Sequence, residues 1–208
     1  MGSPDPPPLI ETPHGPARAH LHAPRDGEPR AALTLGHGAG GGIAARDLQA
    51  VTAVARELGF AVALVEQPYV VAGRRSAAPA HQLDAAWLAV VEHLRAGELA
   101  GLPLVTGGRS SGARVACRTA AATGAAGVLC LAFPEHPPGK PEKSRLDELD
   151  GVDVPVLVIQ GEADPFGLPP AAPGREVVVV PGNHSFSRPL TGVVEAARAW
   201  LGGLSFSA

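Results

Sequence analysis

With 208 residues and 45% hydrophobic content, the chain is long enough to enclose one full core and reads as one domain. Seventeen basic against twenty acidic residues give a net charge of -3, with no basic run to track a phosphate backbone, so nucleic acid is not expected as a partner. No stretch reaches the roughly 18 uninterrupted apolar residues of a membrane span. Met1 to Pro8 also lacks the basic and apolar regions of a signal peptide, so a cytoplasmic protein with no membrane partner is expected.

Residues 1–30 are diluted by Pro and Gly, and Leu9 to Thr12 and Ala17 to His22 are the two places where short edge strands fit. Residues 31–208 alternate short apolar runs with longer amphipathic ones, the rhythm of parallel βαβ units. Ala31 to Leu35 reads as a strand, followed by a glycine loop and a helix from about Asp47, a candidate N-cap, with Leu48, Val51, Ala55 and Leu58 on one face. Phe60 to Val65 is the next strand. Leu83, Trp87, Val90, Val91 and Leu94 then form the core-facing stripe of a second helix.

Leu102 to Thr106 leads into Gly108-Arg109-Ser110-Ser111-Gly112 and a helix running to Ala121. Gly127 to Phe133 and Val154 to Gln160 are continuous apolar runs, as in strands covered on both faces. Glu176 to Val180 is the last strand and Val193 to Leu201 the closing helix. Cys117 and Cys130 read as two buried thiols rather than a disulfide or a metal site, and no metal or cofactor is expected.

The chemistry concentrates in the loops after these strands. A GxSxG pentapeptide alone is weak evidence, because a Ser-Ser N-cap after a glycine turn has the same residues. On a sharp strand-to-helix turn, however, Ser110 is held clear of the sheet while the new helix aims its free amides at the same spot. A serine hydroxyl needs a base to take its proton and a carboxylate to orient that base. His184, in Pro181-Gly182-Asn183-His184-Ser185-Phe186 just past the last strand, is the candidate base. Asp164, in the turn after the strand ending at Gln160, is the candidate acid, with Glu162 its rival.

His14, His20, His22, His81 and His93 are expected in solvent, and His37 as a brace of its loop. Oxyanion-hole amides are expected from Ser111, the residue after the nucleophile, and from Ala39 in the loop His37-Gly38-Ala39-Gly40-Gly41, with Gly40 the alternative. The same glycines from Gly36 to Gly41 also match the dinucleotide fingerprint GxGxxG, with Glu66 ending the next strand. A dinucleotide-binding protein therefore stands as a competing reading. It gives no reason for Ser110, Asp164 and His184 to follow strands in that order.

With these residues in hand, the sequence resembles the α/β-hydrolases. Within them it resembles the small dienelactone-hydrolase-like branch of testis-expressed and NSL-complex-subunit-3-like proteins. The resemblance rests on the glycine loop, on Ala72-Gly73-Arg74-Arg75, on the elbow Gly107 to Ala116, and on Phe133-Pro134-Glu135-His136-Pro137-Pro138-Gly139-Lys140-Pro141-Glu142-Lys143. It implies a mostly parallel central sheet with helices on both faces and a Ser110, Asp164, His184 triad, but no substrate; cleavage of a small ester or thioester is the activity expected of such a site. Some relatives belong to larger assemblies, so a non-catalytic hydrolase-like interaction module is the alternative. One departure is Ser111, where a larger residue, often Met, is expected.

About twenty residues separate the strands ending at Phe133 and starting at Val154, too few for a separate cap domain. The site is therefore expected to be open. Arg74, Arg75, His136 and Lys140 would rim it as substrate-binding groups, with Lys143 and Arg145 nearby. Such a rim favours a carboxylate or phosphate beside the scissile ester. Ordinary solvated charges, neutralised by Glu135, Glu142, Asp147 and Glu148, are the other reading.

Overall fold

The computed structural model describes residues 7–40 and 42–206. Gly41 of the glycine loop and Met1 to Pro6 lie outside the described residues. Eight strands form one sheet: β1 (Leu9–Ile10), β2 (Ala17–His22), β3 (Ala31–Gly36), β4 (Phe60–Glu66), β5 (Leu104–Arg109), β6 (Gly127–Leu131), β7 (Val156–Gly161) and β8 (Arg175–Val180). Their order across the sheet is β1-β2-β4-β3-β5-β6-β7-β8. β1 and β2 are antiparallel, and β3 to β8 are parallel. The helices are α1 (Arg46–Glu57), α2 (Pro68–Val71), α3 (Ala80–Ala96), α4 (Ser111–Thr123), α5 (Leu146–Asp150) and α6 (Thr191–Gly203).

Alternation along the strands divides the core between two faces. Leu33 and Leu35 of β3 pack with Leu48 and Val51 of α1 and with Val193, Ala197 and Leu201 of α6. Ala32, one position out of phase, joins Leu83, Trp87, Val90 and Leu94 of α3 on the other face. Beyond them, α4 and α5 cover β6 and β7, where Cys117 and Cys130 lie with their sulfurs 3.5 Å apart. Both are free and buried, and the Cys117 hydrogen bond together with burial pushes the Cys130 thiol well above its ordinary range. A buried thiol of that kind is inert.

Several boundaries differ from the sequence reading for physical reasons. β5 and β7 each begin two residues late, at Leu104 and Val156, because Pro103 and Pro155 precede them and proline has no N–H for the ladder. β6 stops at Leu131, since Ala132 takes a left-handed φ of 51°. α1 starts at Arg46, and Asp47 lies inside its first turn rather than capping it. The dinucleotide pattern needs its glycine loop to open the helix, whereas here α1 begins ten residues after Gly36.

Sheet register then positions the loops. Gly36 at the end of β3 pairs with Gly108 of β5, which sets the glycine loop beside the GxSxG turn. Gln160 and Gly161 of β7 pair with Val179 and Val180 of β8, which sets the Asp164 turn beside the His184 loop. All four loops leave the carboxyl edge of the parallel strands, where ligands bind in open α/β sheets. Only residues 132–155 link β6 to β7, with the five-residue α5 their one helix. The domain therefore carries no cap. No helix among the described residues is long and apolar enough to cross a membrane.

Candidate active site

Ser110 sits between β5 and α4 with φ 53° and ψ -110°, a strained backbone for a residue with a side chain. Its N–H donates to the Leu131 carbonyl at 2.9 Å, and its carbonyl accepts the Arg114 N–H of α4 at 3.2 Å. The neighbourhood tolerates this turn because Gly112 has no side chain. A Cβ there would lie 2.5 Å from the Gly36 carbonyl carbon, 2.9 Å from the His37 oxygen, and nearer still to the Gly36 oxygen. β3 and the start of α4 thus touch backbone to backbone.

The three sequence candidates meet at this point. Ser110 Oγ is 2.8 Å from His184 Nε2, and His184 Nδ1 is 2.8 Å from Asp164 Oδ2. A carboxylate only accepts, so Nδ1 carries the proton and Nε2 is left to accept the serine O–H. The Asp164 side chain is fully buried, while the imidazole is 16% exposed and packs against Phe166 with ring centroids 4.3 Å apart. Glu162, the rival acid, is exposed and makes no side-chain hydrogen bond among the described residues.

Residues that the sequence reading passed over hold this chain in place. Gln160 Nε2 shares its two N–H groups among Asp164 Oδ2 at 2.9 Å and the Phe133 and Gly167 carbonyls at 3.0 and 2.9 Å. The Phe166 N–H satisfies Asp164 Oδ1 at 2.9 Å. Both carboxylate oxygens are therefore fixed before His184 is counted. Gln160 ends an apolar run, and a lone amide at a strand end gave no signal of that task.

In the glycine loop, His37 is buried and holds the Gly38 carbonyl through Nδ1 at 2.8 Å, while Nε2 accepts the Gln67 N–H at 3.1 Å. Burial pushes the His37 pKa down, which keeps this neutral arrangement. The Tyr69 hydroxyl donates to the Ala39 carbonyl at 3.0 Å. In a trans peptide the N–H points opposite the C=O. Pinning the Gly38 and Ala39 carbonyls therefore turns the Ala39 and Gly40 amides away from His37 and Tyr69. Ser111 is the first residue of α4, so its N–H is among those a helix leaves unpaired.

Tyr69 is 6% exposed, and burial raises its pKa to about 12. Between pH 10 and 12 the unfolded chain ionises its phenol while the folded one keeps the proton, so stability falls as pH rises through that window. The loss is expected to reach about 2 kcal/mol and to vanish in Tyr69→Phe. Because this is the only tyrosine, tyrosinate absorbance measures it directly, with a folded midpoint near 12.

The predicted rim is only partly assembled. Arg74 and Arg75 are exposed and form no ion pair among the described residues, and Arg74 lines a cleft of about 180 Å³ with His14, Gln67, Tyr69, Gln82 and Leu83. That cleft meets the glycine loop through Tyr69 and does not include the triad. Lys140 is exposed at the tip of its loop. His136 is half-buried, its Nδ1 tied to the Pro137 carbonyl at 2.9 Å and its backbone N–H to the Phe166 carbonyl at 3.0 Å. Glu148, expected to neutralise the rim, binds Arg114 and Arg118 of α4 instead. His20 is not solvated as expected, since it pairs with Glu66 at 2.8 Å, and His22 is half-buried on the same strand.

The α/β-hydrolase domain family matches residues 29–190. No curated protein matches the sequence. Among solved structures the chain is similar to XC6422 of Xanthomonas campestris, described as an α/β serine hydrolase without lid, at 25% identity over 95% of both chains and a TM-score of 0.73. It is also similar to Est1E of Butyrivibrio proteoclasticus, at 17% identity over 95% of this chain and 98% of that one, with a TM-score of 0.73. The dienelactone hydrolase of Anabaena variabilis gives 17% identity, 94% of both chains and 0.69. With the family match spanning most of its length and a lidless, mostly parallel sheet, the chain belongs to the α/β-hydrolase domain family.

Proposed function

We propose that the protein is a serine hydrolase that cleaves a small carboxylic ester or thioester through an acyl-enzyme. The observation that carries this reading is the unbroken chain of 2.8 Å contacts from Ser110 Oγ through His184 to Asp164 Oδ2. His184 takes the proton as Ser110 attacks the carbonyl, and later returns it to the leaving group. Asp164 keeps the imidazole in the tautomer that accepts at Nε2. The amides of Ala39 and Ser111 receive the oxyanion, which fits pinned loop carbonyls and a helix N-terminus beside the nucleophile. A water freed by the same histidine completes hydrolysis, so no cofactor or metal enters the scheme.

The glycine loop, the elbow and the Phe133 to Lys143 segment support placement in the small testis-expressed and NSL-complex-subunit-3-like branch. The proposed workplace is the cytoplasm, on a small-molecule substrate, with no nucleic-acid or membrane partner. Labelling by a fluorophosphonate tests the core of the reading, because the probe loses fluoride only to an activated serine. Wild type is expected to label and Ser110→Ala to remain blank. Unlabelled but folded wild type would favour the interaction module, and thermal stabilisation by a dinucleotide would revive the cofactor reading.

Arg74, Arg75, His136 and Lys140 supply the proposed preference for acidic substrates, supported by the missing ion partners of both arginines and of Lys140 among the described residues. One charge-assisted contact corresponds to about tenfold in kcat/KM. An acyl ester carrying a carboxylate is therefore expected to turn over about tenfold better than its neutral isostere, and Arg74→Ala to narrow the gap. Equal rates would end this part of the reading.

A further inference from the structure

One residue in the elbow is left without a task by the triad scheme. Arg109 immediately precedes Ser110, and its side chain is 18% exposed. Its Nε donates to Asp47 Oδ2 at 2.9 Å, and its Nη2 donates to the His184 main-chain carbonyl at 3.0 Å and to Ser185 Oγ at 3.3 Å. The third nitrogen runs under the glycine loop, where a Cβ on Gly38 would lie 2.9 Å from Nη1 and 3.5 Å from Ser110 Cβ. Asp47 is 4% exposed, its Oδ1 taken by the Leu48 N–H at 2.9 Å, so Arg109 is the cation that answers this buried carboxylate.

We propose that Arg109 is a positioning residue that locks the His184 loop to the nucleophile elbow. This rests on the hydrolase reading above. The guanidinium leaves the backbone one residue before the nucleophile and ends on the backbone of the base itself, so the two reacting groups share a short rigid strut. Its other side is anchored in the first turn of α1, the helix that follows the glycine loop. Asp47 neutralises the charge there, and the planar fork serves both directions at once. A lysine reaches one of these partners and not both. Among the described residues, His184 itself is otherwise held through its side chain, by Asp164, Ser110 and Phe166, while its loop is tied by the Ala163 N–H to the Gly182 carbonyl at 2.9 Å and the Phe186 N–H to the Asn183 carbonyl at 3.0 Å.

Loss of such a strut lets the imidazole drift from Oγ, and a displacement near 1 Å costs about 10²-fold. Arg109→Met is therefore expected to lower kcat and the fluorophosphonate labelling rate about 10²-fold while KM stays within about twofold. Arg109→Lys should recover part of the loss, and millimolar guanidinium should restore Arg109→Ala where sodium chloride does not. The double variant Asp47→Asn, Arg109→Gln leaves no charge buried alone, so it should melt near wild type and still be slow. Arg175→Met, which breaks the Arg175–Asp150 pair at the amino end of β8, away from the carboxyl ends of the strands, should lower stability without the loss of kcat.

One readout is independent of turnover. The downfield His184 Nδ1–H proton resonance, identified by its absence in Asp164→Ala, should broaden in Arg109→Met. If that resonance stays sharp and labelling of the folded double variant matches wild type, the proposal is overturned. If wild type never labels, the hydrolase reading fails on its own, and the resonance still decides whether Arg109 fixes the loop.

Discussion

Ser110→Ala and His184→Ala are each expected to lower kcat by about 10⁶-fold, and the double variant to lose no more than either alone. The reason is that, in the proposed scheme, the two side chains perform one event, transfer of the Oγ proton to Nε2 across 2.8 Å as the carbonyl is attacked. Remove the imidazole and the hydroxyl stays a weak nucleophile. Remove the hydroxyl and the imidazole has no attacking group to serve. What survives is the roughly 10³-fold assistance of substrate binding and the oxyanion amides, which neither change touches.

Asp164→Asn should fall less, by about 10⁴-fold, because it leaves geometry largely intact but favours the wrong imidazole tautomer. Single-turnover rates on a short-chain ester, with KM followed in parallel, give the comparison. Losses that multiplied in the double variant would mean that Ser110 and His184 act independently, and the triad reading would not survive that.

Gly112→Ala is expected to destabilise the fold by about 3 kcal/mol, far more than a typical Gly-to-Ala change in a helix, which ordinarily stabilises. Nothing flexible stands in the way of the new methyl group. Its neighbours are the Gly36 carbonyl and the His37 oxygen, main-chain atoms of β3 and the loop it feeds. β3 is paired with β4 and β5 on its two sides, so it cannot retreat alone, and α4 must lift from the sheet. Gly203→Ala is the matched control, at the end of α6, where the added methyl would meet nothing within 4 Å. Urea midpoints at constant slope would report the difference. Equal midpoints would show that the elbow can relax around a side chain.

The parts of the molecule readable in advance are those that local chemistry dictates. Continuous apolar runs such as Val128 to Leu131 announce a doubly covered strand, and the spacing of Leu83, Trp87, Val90 and Leu94 announces a buried helix face. Ser110, Asp164 and His184 were legible because each follows a strand in a fixed order. The supports around them were not. Arg109 and Asp47 are 62 positions apart, and nothing local to either says that they meet. Tyr69 reaches Ala39 from a four-residue helix too short to leave a periodic trace. His20 looked like a solvated polar residue until β2 was set against β4, the strand that ends in Glu66. Contacts of this kind come from sheet order, which the strand pattern alone does not determine.

The bare crossing from β6 to β7 has a kinetic meaning. Among the described residues no segment has to swing aside before a molecule reaches the serine, so under the proposed function turnover needs no opening step. Under the proposed function, selection among substrates then falls to the standing walls around the elbow, and the speed of exchange with bulk water is set by diffusion rather than by a moving part.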